Sequence, residues 1–187
     1  MQLYELKIDK AIDYLLSPGI LNATGDSPVC YVTYDTKDAV EIMRLVDSTL
    51  APKARHYGFD VKIISIKDLV FDFITSHPYY EEAWLLEDEF PENDIFDSIR
   101  TEFQDSNYLA NAILRLQGEY RDHGRPLMVF TDLEWLHPFD KIGRVEQVIY
   151  KKIELPMLIL YPGQSQGTAR TFLNIYPMDG NYRSKNF

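Results

Sequence analysis

The side chains best suited to chemistry lie in the second half of the chain. In "MVFTDLEW", residues 128–135, an apolar run ends in Thr131, and Asp132 and Glu134 follow. Two carboxylates at the end of a buried strand can hold magnesium and orient a water molecule, as a Walker B strand does. In "YPGQSQG" an apolar strand ends in Tyr161-Pro162-Gly163, and Gly167 stands four residues on. Backbone N–H groups of a glycine loop can surround a phosphate. Here, however, the glycines are one residue too close for that loop and no lysine follows. The strand is also the last of the main strands, whereas a phosphate loop follows the first.

The first strand, "PVCYVTY" at residues 28–34, leads into "DTKDAVEIM". That loop has no glycine, and Asp35 and Asp38 would repel phosphate. Without a phosphate loop, Asp132 and Glu134 have nothing to act on. Thr131 and Asp132 then read as loop-closing residues. A nucleotide-dependent enzyme using Asp132 and Glu134 stays open as the alternative. The remaining templates fail. His56, His77, His123 and His137 are isolated, with no metal-binding spacing. There is no GxSxG elbow. Cys30 sits in an apolar segment, where a thiol is inert. The aromatic residues form no base-stacking motif. The reading is of a protein without catalytic residues, cofactor, metal or small-molecule substrate.

These residues have to be positioned by an alternation of helices and strands. Leu3, Leu6, Ile8, Ile12, Leu15 and Leu16 predict a helix over 1–17, stopped by Ser17-Pro18-Gly19. A strand over 28–34 precedes a helix with Ala39, Val40, Met43, Val46 and Leu50 on its apolar face, which Pro52 should kink or finish. A strand at Val61–Ile64 is followed by a short helix with Leu69, Val70, Phe73 and Ile74 on one side. Residues 79–107 read as short helices and a long loop. A helix through Leu109, Ile113, Leu116 and Tyr120 precedes the strand 126–131. His137-Pro138 opens another helix, then come a strand at 157–161 and a fifth at 172–176. Strands separated by helices predict an α/β fold with a largely parallel sheet flanked by helices, resembling P-loop NTPase folds but lacking their phosphate-binding loop. With no repeat or linker, residues 1–187 read as one domain, with 1–27 as a helical lead-in.

Composition sets limits on partners. The chain has 187 residues and a net charge of -10. Residues 68–105 carry 12 acidic side chains against one basic, and 141–187 carry 7 basic against 3 acidic. Such a protein is repelled by nucleic acid, so DNA is expected to be touched only weakly or indirectly, with a DNA-contacting subunit as a further alternative. One cysteine, no signal-like apolar block and no membrane-length run read as cytoplasmic, with no membrane partner. The Tyr-Pro-Gly segment is expected to be an architectural turn: Pro162 fixes φ and Gly163 takes the positive φ of a type II turn. It would deliver a basic tail to the surface. Arg170, Tyr176, Tyr182, Arg183 and Lys185 are the expected partner-binding residues, because arginine and tyrosine favour interface centres.

Taken together, the segments resemble the BrxB family of bacterial BREX phage-defence systems. Tyr34-Asp35-Thr36-Lys37-Asp38 matches the Tyr-Asp turn after the family's early strand. Thr131 and Pro138-Phe139 match the end of its middle strand. Tyr161-Pro162-Gly163, Gly167 and Asn181-Tyr182-Arg183 follow its closing pattern in order and spacing. Where family members often have glycines after the middle-strand threonine, this chain has Asp132 and Glu134. The resemblance implies a non-enzymatic adaptor in antiviral defence that binds a PglZ-like protein or another component of the system.

Overall fold

The strand β1 (Val29–Tyr34) is buried along its whole length, as an unbroken β-branched and aromatic run requires when both faces of a sheet are covered. A computed structural model describes residues 2–17, 20, 27–77, 92–167, 169–176, 179–180 and 184–187. The strands after β1 are β2 (Asp60–Ser65), β3 (Pro126–Thr131), β4 (Met157–Gln166), β5 (Ala169–Phe172), β6 (Asp179–Gly180) and β7 (Lys185–Asn186). The main sheet runs β2-β3-β4-β1-β7, and every pairing along that path is parallel. Val29 to Tyr34 stand opposite Met157 to Pro162 in step. The last turn of β4 leaves this sheet and pairs antiparallel with β5, which pairs in turn with β6. The fold is therefore a single α/β domain with a mostly parallel sheet, as the alternation of segments predicts.

Strand periodicity divides the apolar residues between two cores. Val29 and Tyr31, Met128 and Phe130, and Met157, Ile159 and Tyr161 point to one face. Cys30 and Val32, Leu127 and Val129, and Leu158 and Leu160 point to the other. Among the described residues four helices supply the first core: α4 (Ile66–Ser76), α5 (Glu92–Asp105), α6 (Tyr108–Tyr120) and α7 (Ile142–Ile149). Phe73 of α4 meets Phe103 of α5 edge-on at 5.0 Å between ring centres. The second core is covered by α1 (Gln2–Leu16), α2 (Ala39–Leu45) and α3 (Ala51–His56). Strand β2 is at the rim, and its exposed Lys62 and Ile63 fit that place.

Several local readings are corrected. Helix α1 buries Tyr4, Ile8, Ala11, Ile12 and Leu15, while Leu3 and Leu6 are 61% and 50% exposed. Pro52 neither ends nor breaks the helical run. A π-turn, Val46–Leu50, precedes α3, and the Ala51 amide reaches back to Val46 O. The wider turn accommodates a residue that has no N–H and whose ring would crowd a regular helix. Helix α7 starts at Ile142 rather than at the cis His137-Pro138 pair. Residues 173–176 form a turn, so the fifth strand is Ala169–Phe172. Where short helices and a loop are expected, α5 runs for 14 residues; residues 79–91 of that stretch and the helix stop at Pro18 and Gly19 lie outside the described residues.

Candidate functional site

In parallel α/β sheets ligands bind outside the carboxyl ends of the strands, so the ends of β1, β3 and β4 are the place to look. Asp132 follows β3 in a left-handed conformation, φ 57°. That turn aims its carboxylate back at the strands. Oδ2 accepts from Ser65 Oγ at the end of β2 and from Thr131 Oγ1, both at 2.7 Å. Ser65 also caps α4 by accepting from the Asp68 amide. Asp132 is thus a brace between two strand ends, the loop-closing role expected of it. Glu134 lies in the 3-10 turn Leu133–Leu136 and accepts a long 3.4 Å bond from Tyr34 Oη. Burial, then the nearby Asp132, raises the pKa of Glu134; burial, then Glu134, raises that of Tyr34. Among the described residues no three His, Cys, Asp or Glu side chains stand where a metal ion could be shared.

The end of β1 is where a phosphate loop would begin, and the Asp35, Lys37 and Asp38 amides there are already used. The Asp35 amide donates to Tyr4 Oη at 3.2 Å, and that hydroxyl donates to Asp38 Oδ2 at 2.6 Å. The Lys37 amide donates to the Asp35 carboxylate at 3.2 Å, and the Asp38 amide to Asp35 O at 2.8 Å. Lys7 of α1 donates to Thr33 O at 2.7 Å and to Thr33 Oγ1 at 2.9 Å. Helix α1 is thereby pinned across the strand end. A phosphate would have to displace these internal bonds and approach two aspartates.

The Tyr-Pro-Gly segment is not a turn. It lies inside β4, where the strand passes from parallel to antiparallel pairing. Pro162 sits opposite Tyr34, the last pair of the parallel ladder, where a missing N–H is tolerated. Its carbonyl accepts from the Leu173 amide at 2.8 Å. Gly163 has φ 144°, and a Cβ there would lie 1.8 Å from Thr171 O of β5. The glycine exists for close approach of two backbones. Gly167, with φ 62°, is at the β4–β5 hairpin. Tyr161 packs edge-on against Tyr31 and Phe172.

The expected interface residues are not gathered on one surface. Arg170 is the main correction, since it is fully buried. Its guanidinium stacks 3.7 Å from the centre of the Tyr31 ring and donates to Glu146 of α7 at 3.2 Å and to Asn186 at 3.0 Å. Ser184 closes the other oxygen of Glu146. The buried Tyr31 hydroxyl faces Glu146, and burial raises its pKa. Tyr176 is half-buried and bonded to the His137 ring. Lys185 is exposed on β7, and Tyr182 and Arg183 lie outside the described residues.

Two large aromatic side chains outside those expectations are exposed instead. Phe71 on α4 is 57% exposed and Trp135 on the 3-10 turn is 50% exposed. Lys67 joins them: it precedes Phe71 by one turn, and its ammonium lies 5.7 Å from the centre of the Trp135 ring. Asp68 and Asp72 are exposed on the same helix. The available signal was Phe71 itself, an aromatic left off the helical face that holds Leu69, Val70 and Phe73. No family model, curated protein or solved structure matches this chain.

Proposed function

We propose that the chain is a non-enzymatic adaptor that docks a protein partner on the surface formed by Phe71, Lys67 and Trp135. The observation that carries the reading is the exposure of two large aromatic rings, Phe71 on α4 and Trp135 on the 3-10 turn, with Lys67 one turn before Phe71 and against the Trp135 ring. Rings of this kind become the centres of interfaces, because they desolvate much area at small entropic cost. The acidic side chains beside them favour a partner segment that brings basic residues. The filled end of β1 speaks against a nucleotide cycle at the same edge, and the resemblance to BrxB supplies the setting: an antiviral assembly with a PglZ-like protein or another component as partner. Helices long and apolar enough to cross a membrane are absent among the described residues.

The test is co-purification of the components of the defence system from the native host with tagged wild type and with the double variant Phe71→Ala/Trp135→Ala. The variant should keep its melting temperature and lose about tenfold or more in partner affinity. Full capture together with full phage protection by the variant would remove this surface from the account. Calorimetry with magnesium ATP and GTP should show no saturable binding. Saturable binding that disappears in Asp132→Ala would instead favour the enzyme.

A further inference from the structure

A cavity of about 660 Å³ opens over the carboxyl ends of β3 and β4, within the size range of small-molecule sites. It is separate from the exposed Phe71–Trp135 surface. One wall is aromatic: Tyr161 from β4, Phe172 from β5 and Tyr176 from the turn after it. Leu133 and Leu136 add apolar surface. The rest of the lining is polar and, among the described residues, carries Arg100, Lys141 and Arg144 with Asp140 as its carboxylate.

The charges differ in how far they are committed. Asp140 is buried, and its carboxylate is closed by Arg144 Nε and Nη2 at 2.7 and 2.5 Å and by the Lys141 amide at 2.7 Å. Arg144 is further held by Asn107 Oδ1 and Gln104 O, both at 3.1 Å. Arg100 pairs with Asp97 at 2.9 Å. Among the described residues Lys141 has no carboxylate partner, and its side chain is exposed at the cavity. Lys141 also immediately precedes α7, whose first residues, Ile142 and Gly143, line the same space. Their amides have no acceptor within the helix. Burial, and then Lys141, lowers the pKa of His137, whose ring is bonded to Tyr176.

We propose that this cavity binds a small organic anion, a carboxylate or phosphate ester carried on a flat apolar body. The Lys141 ammonium and the Ile142 and Gly143 amides receive the acid group, and Tyr161, Phe172 and Tyr176 receive the body. The proposal is independent of the adaptor reading, since neither Phe71 nor Trp135 lines the cavity. It departs from the expectation that the chain takes no small molecule.

The experiment titrates the purified protein with benzoate and phenyl phosphate, and with benzyl alcohol and benzylamine as neutral and cationic counterparts. Binding is read by calorimetry and by amide chemical shifts. At least one of the two anions should saturate, with shifts centred on Gly143 and Tyr176, and the tighter one identifies the acid group. Lys141→Glu should weaken it by about tenfold or more. Arg115→Glu, the same charge change on exposed α6, should leave the affinity within about twofold. The melting temperature of each variant checks that it is folded. The proposal is overturned if neither anion saturates, if benzyl alcohol or benzylamine binds as tightly, or if Lys141→Glu behaves like Arg115→Glu.

Discussion

At the scale of single residues, Gly163 and Gly167 separate two reasons for glycine that look alike in a sequence. A side chain at Gly163 would meet the Thr171 carbonyl oxygen at 1.8 Å, in a backbone conformation of φ 144°. Gly163→Ala should therefore cost at least ~3 kcal/mol, because strain and overlap act together. Gly167 has φ 62° with open space around it, so Gly167→Ala should cost only about 1–2 kcal/mol. Urea unfolding of the two variants measures the difference, and equal losses would contradict the close-approach explanation. Glu134 gives a prediction in pH. Its folded pKa is raised above the ordinary 4.5, chiefly by burial. The folded state then holds the proton more tightly than the unfolded one. Ionised Glu134 accordingly lowers stability as pH rises from 4.5 through the raised value, and the loss is complete above it. Glu134→Gln should melt higher than wild type at neutral pH, with the gain vanishing below about pH 4, where both states of the wild type are protonated. A gain of equal size at both pH values would point to packing rather than charge.

At the scale of elements, the buried Arg170 joins β5 to α7 and to the C-terminal strand, since Glu146 and Asn186 are its partners. Removing one member of a buried ion pair leaves a charge in a poor solvent. Arg170→Met should cost about 3–5 kcal/mol, and adding Glu146→Leu should recover a large part of that loss. Denaturant unfolding of both single variants and the double variant checks the coupling; additive losses would show that the two side chains act separately. This contact was hidden in the sequence for a physical reason. Arginine is ordinarily exposed, and its partner lies 24 residues away on another element. The helix runs were legible from their period and the central strands as short unbroken apolar runs. The meaning of Tyr-Pro-Gly was not, because local turn chemistry is the same whether a glycine bends the chain or lets a neighbouring strand come close. Phe71 was half legible, as the residue its own helix left over.

At the scale of the whole molecule, parallel pairing decides which segments must find one another. The alternation of elements announced a parallel sheet, but not that β1 would lie between β4 and β7, since nothing local encodes strand order. That order has a consequence for kinetics. β1 starts at Val29 and its neighbour β4 at Met157, whereas β2 and β3 start closer together, at Asp60 and Pro126. Closing the longer loop costs more entropy before any contact repays it. While the chain is being synthesised, β1 exists, apolar on both faces, long before the strand that covers its edge. Pulse-labelled hydrogen exchange during refolding should protect the β2–β3 amides first and those of β1 and β4 later, and simultaneous protection would argue against this sequence of events. In that interval the segment Val29–Tyr34, with no charge in it, has its edge open to mispairing with other copies of itself, a surface that a chaperone would shield.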